Sequence, residues 1–139
     1  MYIDAHAHYD DEAFDKDREE VIARVHAAGC DYIINAAQDI PTTIKILEMA
    51  DKFSYLYATA GIHPHNAEGI LPKDIEELAK LAKAAKCVAI GEIGLDYHYD
   101  FAPRNVQQEV FRQQLLLAGE LGMPVVIHDR EAHEDTLRI

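Results

Sequence analysis

The residues with chemistry to offer fall in four short groups, each built around histidine or a lone carboxylate. The first is Asp4-Ala5-His6-Ala7-His8. Side chains in a strand alternate faces, so a spacing of two aims both imidazoles the same way, as a preformed pair of metal ligands. The rival reading is two exposed turn histidines, with Asp10 and Asp11 as a solvated turn. The second group is Gly61-Ile62-His63-Pro64-His65, in which the glycine permits a sharp turn and the proline fixes the loop. His63 there could donate to a phosphate or contact a metal-bound group, and His65 either joins it or faces solvent. In the third, Gly91-Glu92-Ile93-Gly94-Leu95-Asp96-Tyr97, a carboxylate follows the apolar run Val88-Ala89-Ile90. Burying it unpaired would be costly, and metal ligation or an ion pair would offset that cost. Asp96 either lines the same mouth or caps a turn. The fourth group, Pro124-Val125-Val126-Ile127-His128-Asp129-Arg130, again ends an apolar run in a histidine. The planar fork of Arg130 suits a phosphate, with Asp129 and Glu131 as competing partners.

These groups need a scaffold that gathers them. The apolar runs at Tyr2-Ile3, 31–36, 55–60, 87–90 and 124–127 are short and continuous, as strands covered on both faces are. Helical spacing lies between them. One stripe is Val21, Ile22, Val25 and Ala28, closed by Gly29; a weaker one runs 40–53. A third, Ile75, Leu78, Ala82 and Ala85, is entered through Pro72, and a longer fourth runs from Pro103 to Gly122. A fifth helix is expected to start near Glu131. Alternating strands and helices predict parallel strands with right-handed crossovers. In such folds the C-terminal strand ends share one face, where sites are built. His6, His8, Glu92 and His128 are then expected on one rim, with His63, His65 and Arg130 open as candidates to contact a substrate. Mixed imidazole and carboxylate donors suit one or two divalent ions such as Mg, Mn or Zn.

Composition narrows the function classes. A chain of 139 residues, 49% apolar, can bury one ordinary core. No run approaches the roughly 18–20 apolar residues of a membrane span, and the N-terminus lacks a signal pattern, so a cytoplasmic protein without a membrane partner is expected. Cys30 and Cys87 read as reduced core residues. The formal charge of -12 argues against tight coating of duplex DNA but not against chemistry on a phosphodiester, since a bound cation reverses the local sign.

Together the four motifs, in this order and spacing, resemble the TatD-type deoxyribonucleases over essentially the whole chain. That resemblance implies a (β/α)8 barrel of the metal-dependent hydrolase class, cleaving DNA or nucleotide phosphodiesters with one or two divalent metals. It assigns His6 and His8 to a first metal, Glu92 to ligation or bridging, His128 to a second metal, and His63 and His65 to the substrate-facing loop. It also implies a further histidine and aspartate beyond residue 139. A full barrel takes about 250 residues, so residues 1–139 are expected to form the N-terminal portion of one barrel domain: an incomplete α/β barrel of about five strands. Its open edges require either more polypeptide or self-association. The expected activity is that of a deoxyribonuclease acting as an exonuclease. The alternatives are hydrolysis of a small ester, lactone or amide, and a non-catalytic metal-binding fragment; alone, the chain is expected to hold metal weakly and turn over little.

Overall fold

The computed structural model describes residues 1–139. Five strands alternate with five helices: β1 Tyr2–Ala7, α1 Arg18–Ala27, β2 Cys30–Asn35, α2 Ile40–Ala50, β3 Leu56–Ala60, α3 Pro72–Leu81, β4 Cys87–Asp96, α4 Arg104–Leu121, β5 Val125–Arg130 and α5 His133–Arg138. Short 3-10 turns occupy Glu12–Phe14 and Pro64–Asn66. All strand pairs are parallel and the sheet order is β1-β2-β3-β4-β5. Each crossover therefore lands next to the strand it left, and the sheet curls into part of a barrel.

Local chemistry sets the helix ends. Asp39 caps α2 by accepting from the Thr42 amide at 2.8 Å, while the Thr42 hydroxyl accepts from the Asp39 amide at 2.8 Å, a closed capping box. Pro72 opens α3, and the Asp74 carboxylate accepts the Leu71 amide at 2.8 Å. Gly122 ends α4 with φ +65, a left-handed conformation that glycine adopts without Cβ conflict. The expected α3 stripe through Ala85 stops short: the helix ends at Leu81, and Lys83 and Ala84 turn the chain back with amide bonds to Lys80 and Leu81 carbonyls.

One face of the sheet is covered. Ile22, Ile33, Ile46, Leu56, Leu78, Ile90, Ile93, Leu95 and Phe111 are essentially inaccessible and form the core between sheet and helices. The other face is the hollow of the partial barrel. Ile3, Tyr32, Ile34, Tyr57 and Val88 line an open concavity of about 310 Å³ there, the volume that opposing strands fill in a closed barrel. No helix is long and apolar enough to cross a membrane.

The largest departure from expectation is β4. Instead of ending near Ile90, it continues through the whole Gly91–Asp96 motif, and all of those residues are buried. Pairing with β5 shifts register between Ile90 and Ile93, so the strand bulges at Gly91-Glu92. Beyond it Gly94, at φ +141, packs so closely on β5 that a Cβ there would sit 2.0 Å from the His128 carbonyl oxygen.

Candidate metal centre

Backbone anchoring comes first, because it explains why scattered residues converge. The loop after β2 ties two of the four motifs together: the Glu92 amide donates to Ala37 O at 3.0 Å and the His63 amide to Gln38 O at 2.9 Å. Thr59 links the same layers, accepting from the Ala37 amide at 2.9 Å and donating to Gly91 O. Asn35, fully buried at the end of β2, accepts the Tyr9 amide at 3.1 Å and so fixes the turn that follows His8. Two buried glutamines on α4, two helical turns apart, clamp the strand ends. Gln114 bonds both the amide and the carbonyl of Ile62, at 2.7 and 3.0 Å, and Gln107 does the same for Asp96, at 2.8 and 3.1 Å. Each long side chain satisfies backbone groups that would otherwise be buried without partners.

On this frame the ligating atoms of His6, His8 and Glu92 all lie within 4.8 Å of one another. The Nε2 atoms of His6 and His8 are 3.1 Å apart, and Glu92 Oε2 is 3.1 Å from the first and 3.9 Å from the second. The other Glu92 oxygen, Oε1, meets His128 Nδ1 at 2.9 Å. One carboxylate thus faces two separate imidazole sets. Burial pushes the Glu92 carboxyl up, but the His128 bond and the nearby His6 and His63 outweigh it and hold it below its usual range. His128 is shifted up, first by its bond to Glu92 and then by Asp96, against burial.

Asp96 is the member whose role was left open in the sequence. It is completely buried, and Oδ2 accepts from His65 Nε2 at 2.8 Å and His128 Nε2 at 2.9 Å. Its Oδ1 accepts the His98 and Tyr99 amides at 3.1 and 2.9 Å. Burial pushes this carboxyl up, but the Tyr99 amide and both imidazoles more than compensate, and it stays ionised. Asp96 is therefore at once a turn cap and the anchor of two rings. By holding one proton of His128 on Nε2, it makes Nδ1, which faces Glu92 and His63, the nitrogen that would turn its electron pair to a cation.

His63 is buried, and its pKa is pushed down to about 4 by burial and by neighbouring His128. Its Nδ1 accepts the His65 amide at 3.1 Å, which places the proton of the neutral ring on Nε2, 3.1 Å from His128 Nδ1. His63, His65 and His128 also bring one nitrogen each within 4.8 Å. Two of those rings have one nitrogen engaged, His63 Nδ1 with an amide and His65 Nε2 with Asp96, and no carboxylate oxygen joins the three ligating atoms of this set. The set built around a carboxylate is His6, His8, Glu92 and His128 Nδ1, and its nitrogen and carboxylate chemistry fits a divalent cation.

The remaining expectations sort as follows. Asp10 and Asp11 are structural: Asp10 is buried beside Asn35, and Asp11 caps the 3-10 turn by accepting the Ala13 amide at 2.8 Å. Arg130 pairs with neither expected acid. Asp129 bonds His133 at 2.9 Å and Glu131 bonds His98 at 2.9 Å, which leaves the Arg130 guanidinium over the Tyr99 ring at 5.4 Å. His26 is exposed and stacks on Tyr55 at 3.6 Å, remote from the site. Cys30 and Cys87 are unpaired thiols.

Against known proteins, residues 3–139 match the model of the family described as TatD related DNase. The chain belongs to the TatD-related DNase family. It is 42% identical over 139 residues to the uncharacterized metal-dependent hydrolase YabD of Bacillus subtilis, covering all of this chain and 54% of that protein. It is 38% identical over 126 residues to the 3'-5' ssDNA/RNA exonuclease TatD of Klebsiella pneumoniae, covering 91% of this chain and 48% of that one. The crystal structure of YJJV, a TatD homologue from Escherichia coli K12, superposes with a TM-score of 0.90 at 34% identity, covering 99% of this chain and 54% of that one. The chain spans about half the length of the curated relatives it matches, and its fold is the corresponding part of the TatD barrel.

Proposed function

We propose that residues 1–139 form the N-terminal portion of a single barrel domain in a metal-dependent nuclease, a deoxyribonuclease that removes nucleotides from the ends of single-stranded DNA. The observation that carries this reading is the two-sided placement of Glu92, with one oxygen toward His6 and His8 and the other toward His128. His6 and His8 would hold one divalent ion and His128 a second, with Glu92 as a further ligand. Such ions, Mg, Mn or Zn, would supply Lewis acidity and a water made nucleophilic near neutral pH. The protein's own contribution is positional. Buried Glu92 stays ionised between the two imidazole sets, Asp96 fixes the His128 tautomer, and neutral His63 packs against His128 at the substrate-facing loop. His65 and Arg130 line the substrate side. The two unpaired thiols suit a reducing compartment such as the cytoplasm.

The acidic surface, -12 overall, favours a second reading in which the substrate is a small ester, lactone or amide rather than a polyanion. One experiment separates them. The polypeptide that carries residues 1–139 is incubated with end-labelled single-stranded DNA and with a panel of esters and lactones, with Mg or Mn and with EDTA. The nuclease reading expects metal-dependent release of nucleotides that is lost in His6→Ala. Ester turnover without release of nucleotides would decide for the second reading. No metal-dependent difference between wild type and His6→Ala on any substrate would reject both.

A further inference from the structure

The segment between β4 and α4 carries an aromatic surface that neither the core nor the metal ligands use. Tyr99 is 48% exposed and Phe101 62% exposed, and neither belongs to the hydrophobic core. Their rings stack on each other with centroids 5.3 Å apart and planes 19° from parallel. Both meet the edge of His65, at 5.5 and 4.7 Å, and the Arg130 guanidinium lies over Tyr99. His65 is joined through Asp96 to His128, so this ledge begins where the candidate metal pocket ends.

The ledge is held in place. The Tyr99 amide is pinned to Asp96, Arg104 bonds Tyr97 O at 3.2 Å, and Gln107 bonds the carbonyl of buried Ala102 at 2.8 Å. Two large apolar rings kept in water by a rigid loop are costly to leave uncovered, and a preorganised flat surface is what a planar partner requires. A centroid spacing of 5.3 Å leaves no slot between the two rings, so a planar partner lies on the outside of the pair. The charge balance points the same way. An acidic chain gains little from phosphate contacts spread over its surface, whereas a base stacked on an aromatic ring is held without net charge.

We infer that Tyr99 and Phe101 form a stacking subsite for an unpaired nucleobase next to the scissile phosphodiester, with Arg130 beside it for that nucleotide's phosphate. The inference rests on the nuclease reading and deepens it. Bases inside a duplex have both faces covered by neighbours, so the ledge admits a single-stranded end and excludes a paired one. Because stacking accepts any base, it tolerates sequence.

The test compares oligothymidylate with the same strand carrying abasic sugars at its terminal positions, using the polypeptide that contains this chain. Equilibrium binding is measured by fluorescence anisotropy and cleavage by nucleotide release. Stacking one base is worth roughly 5- to 150-fold in affinity, so wild type is expected to favour the base-bearing strand by about tenfold or more. In the double variant Tyr99→Leu and Phe101→Leu that ratio is expected to fall toward one, and Phe101→Trp is expected to keep it. Unchanged circular dichroism confirms that the exposed substitutions leave the fold intact. A wild-type ratio near one, or a ratio that survives the double leucine variant, overturns the ledge. A ledge-dependent binding ratio without cleavage keeps the subsite and rejects the nuclease reading, so the two failures are distinguishable.

Discussion

Replacing Asp96 by asparagine keeps the size and shape of a completely buried side chain and changes what it can offer. The Asp96 carboxylate accepts four bonds: two from backbone amides through Oδ1 and two from the Nε2 atoms of His65 and His128 through Oδ2. In Asp96→Asn the amide oxygen can still serve His98 and Tyr99. The NH2 group then faces two ring N–H donors, and each ring must lose its bond or move its proton to Nδ1. A buried hydrogen bond to a charged group is worth about 1.5–3 kcal/mol, so losing two at the lower figure costs roughly 3 kcal/mol. If His128 shifts its proton instead, the electron pair on Nδ1 is lost to any cation. Removing such an orienting carboxylate typically costs about 10- to 100-fold in metal affinity. The variant is assayed by thermal unfolding in EDTA and by calorimetric titration with Mn. The expected outcome is loss on one or both axes, with His65→Ala losing stability but little metal affinity because His65 lies outside the set that shares Glu92. An Asp96→Asn protein with wild-type melting and wild-type Mn affinity would refute the tautomer argument.

Other perturbations give separable outcomes. Glu92→Gln removes the one group facing both imidazole sets, and metal-dependent nucleotide release is expected to fall by at least about 100-fold, measured at saturating Mn. Gly94→Ala forces a Cβ against the His128 carbonyl at a φ of +141, and is expected to cost at least about 2 kcal/mol in urea unfolding. For pH, His63 titrates at about 4 in the fold against an ordinary 6.5, so between those values the unfolded chain binds more protons. The stability contributed by neutral His63 is full above pH 6.5 and is lost as pH falls toward 4, a total of roughly 3 kcal/mol. Metal-free His63→Gln protein is expected to show a flatter denaturant midpoint over that window. His128 is shifted the other way, so its contribution is full below 6.5 and fades as pH rises through its higher folded value, outside the His63 window.

The strand–helix alternation was legible because most strands contain a short apolar run and several helices carry a capping or stop residue, as with Asp39, Pro72 and Gly122. The convergence of His6, His8, Glu92 and His128 followed from parallel packing alone, since that topology puts every C-terminal strand end on one face. What stayed hidden depended on contacts between distant positions. Gly91 reads as the end of β4, yet the strand passes through it because the backbone there is squeezed against β5, with Val126 2.6 Å from where a Cβ would stand. With β4 running through to Asp96, the even spacing from Glu92 favours the mouth-lining alternative for Asp96, which the shorter strand left open. Asp96 looks like any turn cap until His65 and His128, from two other elements, are seen to share it. Gln107 and Gln114 carry no signal beyond polarity on a helix; their function is to satisfy strand-end backbone. The fate of Arg130 turned on which neighbours its two rival acids chose, which no local pattern specifies.

Three imidazoles and one carboxylate, gathered from β1, the turn after it, β4 and β5, are proposed to hold divalent cations. Anomalous diffraction from crystals soaked in Mn tests this most directly. The account predicts a peak bounded by His6, His8 and Glu92, with any second peak on the Glu92 side of His128. Peaks confined to His63 and His65, or to the acidic surface away from Glu92, would contradict it.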